Sequence, residues 1–249
     1  MEDKVRALVK WLCEQQKKTG AKGLVVGLSG GVDSAVVGNL IHKACPENSL
    51  GVIMPCDSNP QDKIDAIAVA KKAGLPYVEV DLSDNRRTLF DEIASALKEN
   101  GISSSDNPLI WGNMAARLRM ATLYGVANHL NYLVVGTDNA AEIFTGYFTK
   151  YGDGGVDLVP LAHLTKHEVF EMAAYFGVPE TVLTKAPSAG LFKGQTDEGE
   201  MGVEYHAIDD FLQGKPVPME KKDIIMKLHE GSNHKRAMPV APKNTKQGE

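Results

Sequence analysis

The sequence predicts an α/β protein built on a doubly wound parallel sheet. Short apolar runs recur at Leu24–Leu28, Leu50–Met54, Pro76–Val80, Tyr132–Gly136 and Val156–Val159, and segments of helical spacing separate them. Such alternation favours parallel strands joined by right-handed crossovers, because each helix must pack back onto the sheet. The first run also empties into Ser29-Gly30-Gly31-Val32-Asp33-Ser34, after which an apolar helical pattern resumes at Ala35. Ligands of such sheets gather beyond the carboxyl ends of the strands. The glycine turn, Cys56–Pro60, Thr137–Glu142 and the region after Val159 are therefore expected to meet.

The glycine turn presents backbone N–H groups and serine hydroxyls at a positive helix terminus, which suits a phosphate. It lacks the Gly-Lys-Ser/Thr ending used on terminal phosphates and the Gly-x-Gly-x-x-Gly pattern of dehydrogenases. Asp33 inside the loop would repel phosphate unless a divalent cation lay between them, so the implied ligand is magnesium pyrophosphate. Ser-Gly-Gly-x-Asp-Ser after a first strand resembles the N-type ATP pyrophosphatases. These enzymes have an adenine nucleotide alpha hydrolase-like fold and split ATP into AMP and pyrophosphate while adenylating an oxygen.

Helical spacing continues through Gln61–Ala73 and Asn85–Asn100. Asn107 supplies a cap and Pro108 suits a first helical position, so a long helix is expected from there to about Leu130. It carries Arg117 and Arg119. It could aim arginines at a ligand or lay its apolar side on another subunit, and the sequence does not apportion those roles. Gly190, Gly194, Gly199 and Gly202 break any periodicity in Thr184–Gly202, which reads as a mobile binding loop. Residues 1–240 read as one domain and Ala241–Glu249 as a polar tail.

Composition narrows the function classes. A formal net charge of −5 over 249 residues argues against a broad nucleic-acid-binding face. Cys13, Cys45 and Cys56 show no metal-site spacing and suggest a reducing compartment. No run approaches the ~20 apolar residues of a membrane helix, and the charged Met1-Glu2-Asp3-Lys4 start is no secretory signal. A cytoplasmic protein with no membrane partner is expected. His163 and His167, four apart, read as solvated or capping histidines rather than a metal pair.

A second constellation follows the run at Tyr132. Gly136-Thr137-Asp138-Asn139-Ala140-Ala141-Glu142 is succeeded by Thr145-Gly146-Tyr147-Phe148-Thr149-Lys150-Tyr151-Gly152-Asp153-Gly154-Gly155-Val156-Asp157, then Pro160-Leu161 and Leu164-Thr165-Lys166. Together with Asn113-Met114-x-x-Arg117-x-Arg119-Met120, Pro187-Ser188-Ala189, Gly194-Gln195-Thr196-Asp197-Glu198 and His234-Lys235-Arg236, these runs resemble the NAD synthetases over roughly residues 24–236. The resemblance implies a C–N ligase of NAD biosynthesis. ATP adenylates the nicotinate carboxylate of deamido-NAD, pyrophosphate leaves, and ammonia displaces AMP to give NAD. Activation is needed because a bare carboxylate would have to expel oxide, whereas AMP is a good leaving group.

Carried over by position, Gly27, Leu28, Ser29, Gly30, Gly31, Val32, Asp33, Ser34, Thr137, Lys166 and Ser188 would meet ATP. Arg117, Lys150, Asp157, His234 and Lys235 would meet deamido-NAD. Asp33 and Glu142 would bind Mg2+ and, with Lys166, carry the chemistry; carboxylate and phosphate oxygens are the ligands magnesium prefers. Ser188 stands where relatives often have threonine, and Asn139 and Gly190 where they often have histidine and aspartate. About 23 residues precede the first strand, too few for a glutaminase domain, so free ammonia is the expected donor. The resemblance further implies a homodimer with substrate near the interface. Other adenylating enzymes of this fold, GMP-synthetase-like or tRNA-thiolating, should lack the Phe-Thr-Lys-Tyr-Gly-Asp-Gly-Gly and His-Lys-Arg runs. A noncatalytic nucleotide sensor has little need of Asp33 and Glu142.

Overall fold

The computed structural model describes residues 1–103, 105, 107–188 and 196–242. In chain order its helices begin with α1 (Glu2–Thr19), α2 (Val32–Ala44), α3 (Pro60–Ala73), α4 (Ser83–Glu99), α5 (Pro108–Leu130) and α6 (Ala140–Thr145). They continue with α7 (Lys166–Phe176), α8 (Glu180–Leu183), α9 (Asp197–Met201), α10 (Tyr205–Leu212) and α11 (Met219–Gly231), then a 3-10 turn at Asn233–Lys235. The strands are β1 (Gly23–Gly27), β2 (Ser49–Ile53), β3 (Tyr77–Glu79) and β4 (Tyr132–Val134), all parallel, in the order β3-β2-β1-β4. Val25 pairs with Leu50 on one side and Val134 on the other. The chain winds outward from β1 to β3 and returns on β1's far side, so the topological switch point lies between β1 and β4.

Strand alternation divides the core packed on the sheet in two, while a third cluster with Ala141, Met201, Ile208 and Ile225 lies among α6, α9, α10 and α11. Leu24 and Val26 join a cluster with Val36, Val37, Leu40 and Ile41 of α2, Leu12 of α1, Val69 of α3 and Met172 of α7. Val25, Val52 and Val134 face the opposite way, against Ala115 and Ala127 of α5. Helices thus cover both faces, as the doubly wound reading requires. The apolar α2 is wedged between the sheet and α1, α3 and α7, which explains why its buried positions run nearly around its circumference.

α5 follows the expected boundaries. The Asn107 side chain accepts from Leu109 N–H at 3.0 Å, and the helix ends at Asn131, in the left-handed region at φ 57°. α4 buries none of its residues, and Leu89 and Ile93 on it, like Leu109 and Ile110 on α5, are exposed.

Two expectations need correction. Val156–Val159 forms no strand; Leu158 makes one parallel bridge to Val135. Asp157 takes the Val134 N–H on its carboxylate at 2.8 Å, occupying a donor that a ladder would use, and Pro160 then stops any extension. Thr184–Gly202 is not structureless throughout, because α9 forms within it. The Thr196 side chain accepts from Gly199 N–H at 3.2 Å, and Gly202 at φ 70° closes the turn. Gly190 and Gly194 lie outside the described residues, as do 243–249 of the expected tail.

Candidate active site

Three helix N-termini converge beyond β1 and β4, and each projects one charged side chain. The first belongs to the glycine turn. Gly30 has φ 79°, and a Cβ there would stand 2.4 Å from the Asp62 carbonyl oxygen, so both conformation and space demand glycine. Ser34 Oγ accepts from Ser29 N–H at 3.2 Å and donates to Gly31 O at 3.0 Å, while Ser29 Oγ accepts from Gly31 N–H at 3.2 Å. These bonds lock the turn and leave the first N–H groups of α2 pointing out of the helix end, where no helical carbonyl reaches them. Leu28 and Val32 are buried, so any contact they make to a ligand is through backbone.

The second N-terminus is α6. Asn139 Oδ1 accepts from Ala141 and Glu142 N–H, and Glu142 Oε2 accepts from Asn139 N–H at 3.1 Å, completing a capping box. Asn139 Nδ2 also donates to Asp33 Oδ1 at 3.0 Å. The third is α7, capped by a Thr165–Glu168 box, with the backbone N–H groups of Lys166 and His167 donating to the Asp209 carboxylate.

The three side chains meet. Lys166 Nζ donates to Asp33 Oδ2 at 2.7 Å and to Glu142 Oε1 at 3.1 Å, with only 4% of its side chain exposed. Both carboxylates therefore converge on one ammonium. Burial and the Asp33 charge outweigh the attraction of Lys166 and push Glu142 up to about 7. Burial pulls the Lys166 ammonium down, but Asp33 and Glu142 together hold it above the usual lysine value. Asp138, 7% exposed, is also raised well above an ordinary aspartate by burial and by the charges of Asp153, Glu142 and Asp33. So much converging negative charge fits a divalent cation, and hard carboxylate oxygens suit Mg2+.

The other expected residues fall into groups. Thr137 is half-buried in the loop that follows β4, and Ser188 is exposed. Lys150 donates to the carbonyls of His234 and of Ala237, the latter at 3.4 Å, and Lys235 donates to the carbonyls of Gly146 at 2.8 Å and Phe148 at 2.7 Å. The Lys-Tyr-Gly-Asp and His-Lys-Arg runs are thereby stitched together. Arg117, exposed, reaches the Lys150 carbonyl at 3.3 Å. Arg119 instead turns inward to Met54 O at 3.1 Å and Ser58 Oγ at 2.9 Å, pinning the loop after β2. Asp157 is bound to Tyr124 OH at 2.9 Å as well as to Val134 N–H, on the far edge of β4. His163 and His167 are exposed, and His167 Nε2 lies 3.6 Å from Glu171. An open cleft of about 510 Å³ is lined by Ile143, Phe144, His163, Leu212, His229 and Arg236, and by none of Asp33, Glu142 and Lys166.

Sequence reasoning missed Tyr205, whose hydroxyl lies 3.1 Å from Glu142 Oε1 and 2.9 Å from Asp197 Oδ2. No motif signalled it. It also left open what Asn139 does, although the Asn139-x-x-Glu142 spacing is itself the capping-box signature.

A family model described as NAD synthase matches residues 4–239. An NH(3)-dependent NAD(+) synthetase of Alkaliphilus oremlandii is 54% identical over 244 residues, covering 98% of each chain. Among solved structures, the NMN synthetase of Francisella tularensis superposes with a TM-score of 0.91 at 40% identity, covering 98% of both chains. The NAD+ synthetase of Burkholderia pseudomallei gives a TM-score of 0.77 at 31% identity, covering 96% of this chain and 90% of its own.

Proposed function

Since the chain belongs to the NAD synthase family, we propose that it amidates the nicotinate carboxylate of deamido-NAD with ammonia, through an acyl-adenylate, at the expense of ATP. The observation that carries the residue assignment is the convergence of Asp33, Lys166 and Glu142 at the three helix N-termini. The α2 terminus and the serine-locked turn cradle the pyrophosphate portion of ATP with backbone N–H groups. Asp33 and Glu142 hold Mg2+, which when bound neutralises phosphate charge and polarises the α–β linkage. Lys166, kept protonated by its two carboxylates, supplies a fixed positive charge where negative charge grows on the departing pyrophosphate. Arg117, Lys150, Asp157, His234 and Lys235 bind the dinucleotide acid, and Thr137 and Ser188 contact ATP.

Purified protein given ATP, Mg2+, deamido-NAD and ammonium should form NAD and pyrophosphate in equal amounts, and Asp33→Asn should abolish both. Pyrophosphate without NAD would redirect the adenylation to another acceptor. Ammonium rather than glutamine should serve as nitrogen donor; equal use of glutamine would overturn that part of the reading.

One observation favours a second substrate. Backbone agreement with the Francisella NMN synthetase, 0.91, exceeds the 0.77 reached with the Burkholderia NAD+ synthetase. In this reading the same adenylation and amidation act on nicotinate mononucleotide. Comparing kcat/KM for the mononucleotide and dinucleotide acids under identical conditions decides between them.

We assign the protein to a homodimer formed through α4 and α5, on the evidence of an α4 that, although Phe90 stacks on Trp111, has no fully buried residue and leaves Leu89 and Ile93 exposed, and of Leu109 and Ile110 left exposed on α5. No helix among the described residues is long and apolar enough to cross a membrane. The three unpaired cysteines fit the reducing cytoplasm.

A further inference from the structure

Tyr205, the first residue of α10, touches both Glu142 and Lys166, yet it belongs to none of the motifs above. Its side chain is buried, with the residue 4% exposed. Its hydroxyl lies 3.1 Å from Glu142 Oε1, the same oxygen that Lys166 contacts, and its ring centroid lies 4.6 Å from Lys166 Nζ. Its own position is fixed from the other side: the single hydroxyl proton is shared between Glu142 Oε1 and Asp197 Oδ2, the latter at 2.9 Å, and the backbone N–H donates to Glu198 Oε1 at 2.9 Å, Asp197 and Glu198 both being acidic residues of α9.

We propose that Tyr205 is a positioning residue for the reaction, its hydroxyl orienting the Glu142 carboxylate toward a divalent cation and its ring face seating the Lys166 ammonium beside it. The inference rests on the reading of Asp33 and Glu142 as cation ligands. Glu142 Oε2 is already held by the capping box, so the direction of Oε1 depends on Lys166 and Tyr205. Asp33 and Glu142 would hold the cation, and Lys166, which bonds to both, would then have to loosen its hold on Glu142 Oε1, the longer of its two contacts. The neutral hydroxyl remains compatible with the cation, because a carboxylate oxygen has two lone pairs to share. The negative face of the Tyr205 ring, 4.6 Å from Lys166 Nζ, would still hold the ammonium at the site.

The test uses Tyr205→Phe, which keeps the ring and removes the hydroxyl, and Tyr205→Leu, which removes both. Mn2+ is titrated into each full-length protein holding an equimolar amount of α,β-methylene-ATP, with bound ion read by electron paramagnetic resonance. Tyr205→Phe should weaken Mn2+ binding about tenfold, the scale of one hydrogen bond to a charged group. It should also raise the Mg2+ concentration for half-maximal turnover by a similar factor, while saturating Mg2+ restores kcat. Tyr205→Leu should in addition lower kcat at saturating Mg2+, because Lys166 loses its seat. A Tyr205→Phe protein that binds Mn2+ like the parent while Asp33→Asn does not would overturn the role of Tyr205 alone. Equal Mn2+ binding by parent and Asp33→Asn would overturn the cation-ligand reading and this inference with it. A fall in kcat of Tyr205→Phe that excess Mg2+ does not restore would also overturn the positioning role.

Discussion

Glu142→Gln should make the metal-free protein more stable at pH 8 and inactive. Glu142 ionises at about 7 in the folded chain against an ordinary 4.5, because burial and Asp33 outweigh Lys166. A carboxyl raised on folding lends stability that is fully present below 4.5 and is lost as pH rises through 7. At ~1.4 kcal/mol per pH unit, the gap amounts to ~3 kcal/mol at pH 8 and to under about 1 kcal/mol at pH 5. Glutamine is neutral at both, but its amide must serve Lys166, Tyr205 and the Asn139 N–H with one oxygen, a loss of ~1 kcal/mol. The net gain is ~2 kcal/mol at pH 8 and about zero at pH 5. For a chain of this size that corresponds to a rise in Tm of roughly 4–8 °C at pH 8. Calorimetry in the presence of a chelator at both pH values measures it. Turnover should fall at least about 100-fold, since an electrostatic group at the reacting centre is gone. A variant no more stable than the parent at pH 8, or a Tm difference that does not change between pH 5 and 8, would refute the reasoning.

Other perturbations give distinct readouts. Gly30→Ala forces a left-handed alanine and pushes its Cβ to 2.4 Å from Asp62 O; about 2–4 kcal/mol of stability should be lost, and nucleotide affinity measured by calorimetry should drop with it. Lys166→Met leaves two largely buried carboxylates without their shared cation, so denaturant titration should show a loss of ~3–5 kcal/mol at pH 8 that shrinks toward pH 5 as Glu142 takes up a proton. Asn139→Ala removes the α6 cap and the bond to Asp33, which should cost ~1–2 kcal/mol by chemical denaturation and lower turnover without abolishing it. Charging the exposed face with Leu109→Glu and Ile110→Glu should yield a monomer in sedimentation analysis; an unchanged dimer would move the interface elsewhere.

The sequence by itself determined the elements whose signals are local. Glycines flanked by serines after an apolar run mark a strand, a turn and a helix start. Asn107-Pro108 marks the opening of α5, because cap and first-turn preferences act within a few residues. Alternation of strands and helices fixed the doubly wound class for the same reason: each segment must bury one face. The tertiary structure decided what depends on encounters between distant segments. Val156–Val159 has the apolar character of a strand, yet the Asp157 side chain takes the Val134 N–H and leaves a single bridge. Arg117 and Arg119 are two residues apart, so the helix turns them to different sides; the loop after β2 draws Arg119 inward and leaves Arg117 at the surface. Asp33 lies more than a hundred residues before Glu142 and Lys166, and only the convergence of three helix N-termini brings one ammonium to two carboxylates. Tyr205 carries no local signature at all. Its place beneath Lys166 exists because α10 packs against α6 and α7, and packing between helices is a property of the whole chain.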